Sequence, residues 1–136
     1  QHEAQLVRPT LAEGKIVLLD RFVDSSLIYQ GLGRGLGIDE VAQLNSFATG
    51  GLLPDVTFMV YIDYEEGLRR KLSQANHTLD RLEAEESSFH RMVNLGYLEL
   101  TGRYPERIRL IDGARDPRTV HEDILQQTLA LLAENS

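Results

Sequence analysis

The fold is indicated most clearly by Val56-Thr57-Phe58-Met59-Val60-Tyr61-Ile62-Asp63, a short apolar run that follows Pro54 and Asp55. A run of this length and composition is typical of a strand that is buried on both faces of a sheet. It ends at Asp63, and Glu66 three residues later completes a capping-box pattern for a helix. The sequence therefore predicts a strand that is followed directly by a helix.

Two more apolar runs, Lys15–Asp20 and Ile108–Asp112, predict further strands of the same kind. Segments with helical periodicity lie between and after the three runs, and the last of them opens with Asp116 at the cap and Pro117 in the first turn. Their apolar positions are Ile38, Val41, Leu44 and Ala48, then Phe89, Val93, Gly96 and Leu100, then Val120, Ile124, Thr128 and Leu131. This alternation predicts an α/β fold, a parallel sheet with helices on both faces.

Each predicted strand ends in an aspartate: Asp20, Asp63 or Asp112. Ligands of parallel sheets bind at the carboxyl ends of the strands, so these aspartates are candidate site residues. The alternative is that they are helix caps or turn formers. The functional interpretation is favoured for Asp20, because Arg21 follows it.

Composition excludes several classes of protein. The chain has 136 residues, 42% of them hydrophobic, which is enough for one domain or part of one. It contains no cysteine, so disulfides and thiolate metal sites are excluded. A net charge of −7 argues against broad nucleic-acid binding, and no run approaches the roughly 20 apolar residues of a membrane span. We expect a cytoplasmic protein.

The densest polar cluster, residues 20–31, directly follows the first predicted strand. Asp20 suits a magnesium ion held through water, and the planar guanidinium of Arg21 suits phosphate oxygens. Asp24 and Ser25 are good caps for a short helix, on which Ser26 and Gln30 share a face and are suited to hydrogen-bond a flat ligand such as a pyrimidine. The alternative is a polar helix start with no ligand. The pattern leaves both open.

The glycine-rich run from Gly31 to Gly37 does not match the Gly-x-Gly-x-x-Gly dinucleotide motif, because Leu36 and Ile38 occupy the positions that need the third glycine. We interpret it as a flexible turn with Arg34 as a substrate contact at the rim. The charged stretch from Arg69 to Glu86 suits a lid that closes over phosphates. A solvated helix end and loop is the alternative.

Several motifs together resemble the thymidylate kinase family. Asp20-Arg21-Phe22 runs into Ser25-Ser26 and Tyr29-Gln30-Gly31, and the likeness continues over nearly the whole chain. Its further elements are Arg34-Gly35, Leu44-Asn45, Phe47-Ala48, Gly51-Leu52, Pro54-Asp55, Glu66-Gly67-Leu68, Asp80-Arg81-Leu82-Glu83, Phe89-His90 and Gly96-Tyr97.

The resemblance implies an ATP- and Mg²⁺-dependent kinase that phosphorylates dTMP to dTDP for dTTP biosynthesis, usually as a homodimer. It assigns Asp20 to the magnesium and water network, Arg21 to the dTMP phosphate and to catalysis, and Arg81 to catalysis from a lid at about residues 73–83. It also implies that Ser26 and Gln30 contact thymine, that Tyr29 walls the nucleoside pocket, and that Gly113 and Ala114 pass the adenine.

The implied fold is that of the P-loop nucleoside monophosphate kinases, with strand order 2-3-1-4-5, and three of its five strands lie in residues 1–136 as part of one kinase domain. The sequence departs from the family in two respects. It has no Gly-x-x-x-x-Gly-Lys-Ser/Thr loop, and it has His77 where relatives often carry a lid arginine. We expect the missing strand to pair between Lys15–Asp20 and Val56–Asp63, so that residues 1–136 alone would neither fold stably nor be active.

Two other functions remain open from the sequence. Deoxynucleoside kinases also place an acid-Arg-Ser motif after a strand, although Tyr29-Gln30-Gly31 favours the monophosphate kinase. A non-catalytic nucleotide-binding or dimerisation remnant is supported only by the missing phosphate loop.

Overall fold

The structure is a computed structural model that describes residues 2–74 and 81–134. It forms two compact units, Gln1–Asp55 and Val56–Ser136. Among the described residues, none of the helices combines the length and hydropathy needed to span a membrane.

The first unit is helical. It contains α1 (His2–Ala12), α2 (Val23–Ser26), a π-helix (Leu27–Leu32) and α3 (Ile38–Thr49). α2, the π-helix and α3 pack on one another through apolar residues that are almost completely buried. These are Val23, Leu27, Ile28, Ile38 and Val41. Removing their side chains from water stabilises this packing by about 1.5–3 kcal/mol for each one.

The predicted strand at Lys15–Asp20 is wrong for this structure. Residues 15–19 have no regular secondary structure, and Ile16 and Leu18 are 61% and 87% exposed. Within residues 2–74 and 81–134 the only strand ladder joins two other segments, so residues 15–20 have no strand to pair with. An apolar run becomes a strand only when a neighbouring strand satisfies its N–H and C=O groups, which the sequence pattern cannot show.

The second unit is built on a parallel pair of strands, β1 (Thr57–Tyr61) and β2 (Ile108–Asp112), with Thr57 opposite Ile108 and Tyr61 opposite Asp112. α4 (Tyr64–Gln74) and α5 (Arg81–Arg103) connect the strands, and α6 (Pro117–Glu134) follows β2. α5 packs on both strands and α6 packs on β2. The predicted α/β class and the parallel pairing are confirmed.

Helix caps in the second unit agree with the sequence. The Asp63 carboxylate accepts a hydrogen bond from the Glu65 N–H at 2.9 Å, and the Asp116 carboxylate accepts one from the Thr119 N–H at 3.0 Å. These carboxylates satisfy N–H groups that have no partner within the first helical turn. Asp63 and Asp116 are therefore structural in this unit.

Candidate functional site

The backbone at Arg21 is unusual. Arg21 has φ = 65°, the left-handed conformation, and it is the one non-glycine residue with positive φ in the described part of the chain. For a residue with a long side chain this conformation costs on the order of 1–3 kcal/mol, and such residues cluster at functional sites. Arg21 is exposed and directly follows the exposed Asp20. The turn therefore presents an acidic and a basic side chain next to each other.

Tyr29 on the π-helix supports the Arg21 side chain. The Cζ atom of Arg21 lies 5.1 Å from the centroid of the Tyr29 ring. An Arg21 Nη2–H also donates to the Tyr29 hydroxyl at 3.3 Å. The negative face of an aromatic ring attracts a guanidinium, so Tyr29 restricts the positions that the Arg21 guanidinium adopts. The contact brings two of the predicted site residues together, and their roles toward a substrate stay predictions.

Asp20 is the candidate magnesium residue. Its exposed carboxylate is accessible to a hydrated ion, and Mg²⁺ commonly keeps several waters and binds few protein carboxylates. In the part of the chain that the structure describes, no cluster of three or more His, Cys, Asp or Glu side chains is arranged to hold a metal. A single exposed carboxylate fits a contact to such an ion through water.

Ser26 is held by neighbours in its own unit. Its Oγ–H donates to the Val23 carbonyl at 2.7 Å, and the Oγ accepts from Asn45 Nδ2 at 2.7 Å. With its proton used in this way, Ser26 can still accept one hydrogen bond but cannot donate one without breaking the bond to Val23. Gln30, four residues further along the chain, is exposed.

Asn45 was not singled out as a site residue from the sequence. Its amide reaches from α3 to Ser26 and also donates to the Val23 carbonyl at 3.2 Å. The only signal for it was the Leu44-Asn45 pair in the family resemblance. Without the fold, that pair does not indicate what the amide contacts.

The predicted caps of the polar helix are wrong. α2 begins at Val23 with Phe22 as the preceding cap residue, and no side chain caps it. Asp24 lies inside this helix and is only 5% exposed. Its flanking apolar residues, Val23 and Leu27, are buried too, so the same packing removes Asp24 from water.

The glycine run forms a turn, as predicted. Gly35 and Gly37 have φ values of 68° and 87°, and the neighbouring Arg34 is exposed. Gly31 has a different requirement, because a Cβ there would lie 3.1 Å from both the Gly37 carbonyl oxygen and the Ile38 Cα. The Gly31 position therefore allows the π-helix to approach the start of α3.

In the second unit, the turn after β2 consists of Gly113 and Ala114. The Gly113 N–H donates to the Tyr61 carbonyl at 2.6 Å, and the Ala114 N–H donates to the Asp112 carboxylate at 2.9 Å. A Cβ at Gly113 would lie 2.9 Å from the Tyr61 oxygen and 2.9 Å from Val60 Cγ1. β1 and the Asp112 side chain therefore hold the N–H groups of this turn, and Asp112 acts here as a turn former.

The carbonyl oxygens of the same turn contact Arg70 of α4. Arg70 Nη2–H donates to the Ala114 oxygen at 2.7 Å, and Nη1–H donates to the Gly113 oxygen at 3.4 Å. Sequence reasoning missed this residue, because Arg70 stands in a charged run beside Arg69 and Lys71 and nothing local distinguishes it.

Glu66 binds both arginines of α4. Arg69 donates to its two carboxylate oxygens at 2.7 Å each, and Arg70 Nε–H donates to it at 2.8 Å. Hydrogen bonds from Arg69 and then Arg70 lower the pKa of Glu66 to about 2. The glutamate stays ionised at any physiological pH and orients the Arg70 guanidinium.

Arg81 is the first residue of α5, but its side chain lies outside the described residues. His77 and most of the predicted lid at residues 73–83 also lie outside them. The predicted roles of Arg81 and the lid therefore stay predictions.

Comparison with known proteins identifies close relatives. The sequence model of the thymidylate kinase family matches residues 1–124. A thymidylate kinase of Gloeobacter violaceus is 46% identical over 135 residues, covering 99% of this chain and 64% of that protein. One from Bacillus velezensis is 49% identical over 126 residues, covering 93% of this chain and 59% of that protein.

A solved structure agrees with these sequences. The crystal structure of a thymidylate kinase from Ehrlichia chaffeensis has a TM-score of 0.68 and 26% sequence identity, and the match covers 94% of this chain and 57% of that one. The chain thus spans between 57% and 64% of the length of these three relatives.

Proposed function

Because the chain belongs to the thymidylate kinase family, we propose that the whole protein transfers the γ-phosphoryl group of ATP to dTMP, giving ADP and dTDP for dTTP synthesis. The observation that carries this proposal is the Arg21 turn. Its strained backbone presents a guanidinium whose Cζ atom lies 5.1 Å from the centroid of the Tyr29 ring. A fixed cation of this kind suits a phosphate monoester better than an uncharged nucleoside, because the planar fork matches phosphate oxygens.

In the proposed reaction, an oxygen of the dTMP phosphate attacks the γ-phosphorus of ATP. The new P–O bond forms as the bond between the γ-phosphorus and the bridging oxygen breaks, and the electron pair leaves with ADP. No covalent bond to the enzyme is needed, so the side chains act by positioning and by electrostatics. Arg21 keeps its positive charge at all relevant pH values and offsets the charge of the acceptor phosphate.

Mg²⁺, when bound, supplies positive charge beside the ATP phosphates. We assign Asp20 to one of the waters of that ion, since its carboxylate is exposed and precedes Arg21 in the turn. Arg81 is assigned to the lid, where a further cation would stabilise charge in the transition state.

We assign pyrimidine recognition to Gln30 and Ser26. The exposed amide of Gln30 presents a donor and an acceptor side by side, whereas Ser26 contributes an acceptor. Tyr29 forms a wall of the nucleoside pocket, and Arg34 contacts the substrate at the rim of the glycine turn. In the second unit, Gly113 and Ala114 form the turn beside the adenine of ATP.

The test is a coupled assay of ADP formation by the full-length protein, with dTMP or thymidine as acceptor. Activity with dTMP and none with thymidine is expected, and the reverse preference would identify a deoxynucleoside kinase.

Replacing Arg21 with Ala should lower kcat/KM on the order of 10²-fold or more, as for other groups that stabilise transition-state charge. Arg118, whose side chain is 87% exposed and forms an ion pair with Glu122, is the matched control for Arg21. Equal activity of both Ala variants would contradict the role of Arg21.

We further propose a homodimer in the cytoplasm, as the family resemblance implies. Leu44 and Phe47 support association, because these apolar side chains on α3 are 66% and 89% exposed. Light scattering on the full-length protein should give twice the mass of one chain, and Phe47→Glu should reduce that mass. A wild-type protein with the mass of one chain would contradict the dimer.

A further inference from the structure

The Arg70 side chain links α4 to the Gly113–Ala114 turn of the second unit. Its Nε–H is bound to Glu66 on α4 at 2.8 Å, while its two terminal nitrogens are directed at the carbonyl oxygens of Gly113 and Ala114. The last contact joins residues that are 44 positions apart in the sequence. Arg70 is therefore placed between a helix and the turn that ends β2.

Apart from Arg70, the described residues hold the Gly113–Ala114 turn through its N–H groups. The Gly113 N–H is bound to Tyr61 and the Ala114 N–H to Asp112. The peptide between Gly113 and Ala114 is therefore bound at both edges, by Asp112 at its N–H and by Arg70 at its carbonyl oxygen. Arg70 contacts the next peptide through the Ala114 carbonyl oxygen. A planar guanidinium can donate to both carbonyls at once and hold the two peptide planes in one orientation.

Arg69 provides an internal comparison. It binds the same carboxylate as Arg70, with two bonds of 2.7 Å to Glu66, and among the described residues its side chain makes no hydrogen bond to the Gly113–Ala114 turn. Arg69 is also the more exposed of the two, at 69% compared with 41% for the Arg70 side chain. The two neighbours share a charge, a helix and an ion-pair partner, and they differ in the contact with the turn.

We propose that Arg70 is a positioning residue for ATP: it holds the Gly113–Ala114 turn in the orientation in which the turn receives the adenine. This inference rests on the proposed function, which assigns the turn to the adenine side. Arg70 itself contacts no substrate in this proposal. It acts through the carbonyl oxygens of the turn, and its own orientation is maintained by Glu66.

The experiment compares Arg70→Ala, Arg70→Lys and Arg69→Ala in the full-length protein. Arg70→Ala should raise the KM for ATP about tenfold, the size expected when a charged hydrogen-bond donor is lost, and leave the KM for dTMP unchanged. Arg70→Lys should recover part of the loss, because a single ammonium can reach one carbonyl. Arg69→Ala should leave both KM values close to those of the wild type. Equal effects of the two Ala variants on the KM for ATP would overturn the inference.

A second measurement does not depend on catalysis. Hydrogen exchange at the amides of Gly113 and Ala114 should be faster in Arg70→Ala than in Arg69→Ala, while the amides within β1 exchange as in the wild type. Unchanged exchange at these two amides would overturn the positioning role even in an active kinase. A wild-type protein that cannot phosphorylate dTMP would contradict the proposed function instead, so the two failures are distinguishable.

Discussion

The amide of Asn45 donates a hydrogen bond to the hydroxyl of Ser26 at 2.7 Å and joins α3 to α2, which ends at this proposed base-binding residue. Ser26 uses its own proton on the Val23 carbonyl, so Asn45 is what orients the hydroxyl oxygen from the other side. The serine presents an acceptor whose direction depends on a residue 19 positions away.

We expect Asn45→Ala to raise the KM for dTMP more than it lowers kcat, because the Ser26 oxygen would lose its fixed direction. The lost bonds to Ser26 and Val23 should also reduce the free energy of unfolding by about 0.5–1.5 kcal/mol for each bond. Gln43→Ala, an exposed position on the same helix, is the control. Steady-state kinetics in both substrates is the measurement. An equal rise in the KM values for ATP and dTMP would contradict the role of Asn45.

Gly113→Ala should destabilise the protein by about 1–3 kcal/mol, the range for a group forced into a filled space. The new Cβ would lie 2.9 Å from the Tyr61 carbonyl oxygen, and backbone cannot move aside as a flexible side chain would. Gly102→Ala is the opposite case, since no atom lies within 4 Å of a Cβ there and the position is helical. Gly102→Ala should stabilise the protein by up to about 1 kcal/mol. Urea denaturation measures the change in the free energy of unfolding for each variant. Destabilisation of similar size in both would show that the contact with Tyr61 is not the cause.

The pKa of Glu66, lowered from 4.5 to about 2 by its bonds to Arg69 and Arg70, predicts a dependence of stability on pH. A carboxyl whose pKa is lower in the folded state favours folding above its unfolded pKa, and the contribution is lost as the pH falls through the folded value. The difference in free energy of unfolding between wild type and Glu66→Gln should thus be constant above pH 4.5 and narrow towards pH 2. Both proteins contain the same other carboxyls, so their titrations largely cancel in the difference. Chemical denaturation across this range is the measurement, and a constant difference down to pH 2 would contradict the pKa.

Asp116→Ala should remove the cap of α6 and cost about 1 kcal/mol of stability. The Asp116 carboxylate accepts bonds from both the N–H and the hydroxyl of Thr119, which also lower its pKa. Asp116→Asn keeps an acceptor oxygen at the cap and should retain most of the stability. Thermal unfolding of the two variants at neutral pH separates the lost hydrogen bonds from the lost charge. If both variants lose the same stability, the charge rather than the bonds would be responsible.

Much of the fold was predictable because its signals are local. The apolar runs that became β1 and β2, the periodicities of α3, α5 and α6, and the caps at Asp63 and Asp116 all depend on residues within a few positions of one another. Residue types and their order also predict a site that contains Arg21, Tyr29 and Gln30, and this site stays a prediction. The contact between Arg21 and Tyr29 brings two of these predicted residues together.

The tertiary structure decided which segments pair as strands and which side chains form contacts between residues distant in the sequence. Residues 15–20 have the composition of a strand, but a strand also needs a neighbour for its hydrogen bonds. The contacts of Arg70 with the Gly113–Ala114 turn and of Asn45 with Ser26 join segments 44 and 19 residues apart. By itself the sequence determined the segments that form β1, β2, α3, α5 and α6, because local spacing sets which side chains share a face. The tertiary structure alone decided that Arg70 rather than Arg69 contacts the turn and that Asn45 orients Ser26, because packing brings these distant segments together.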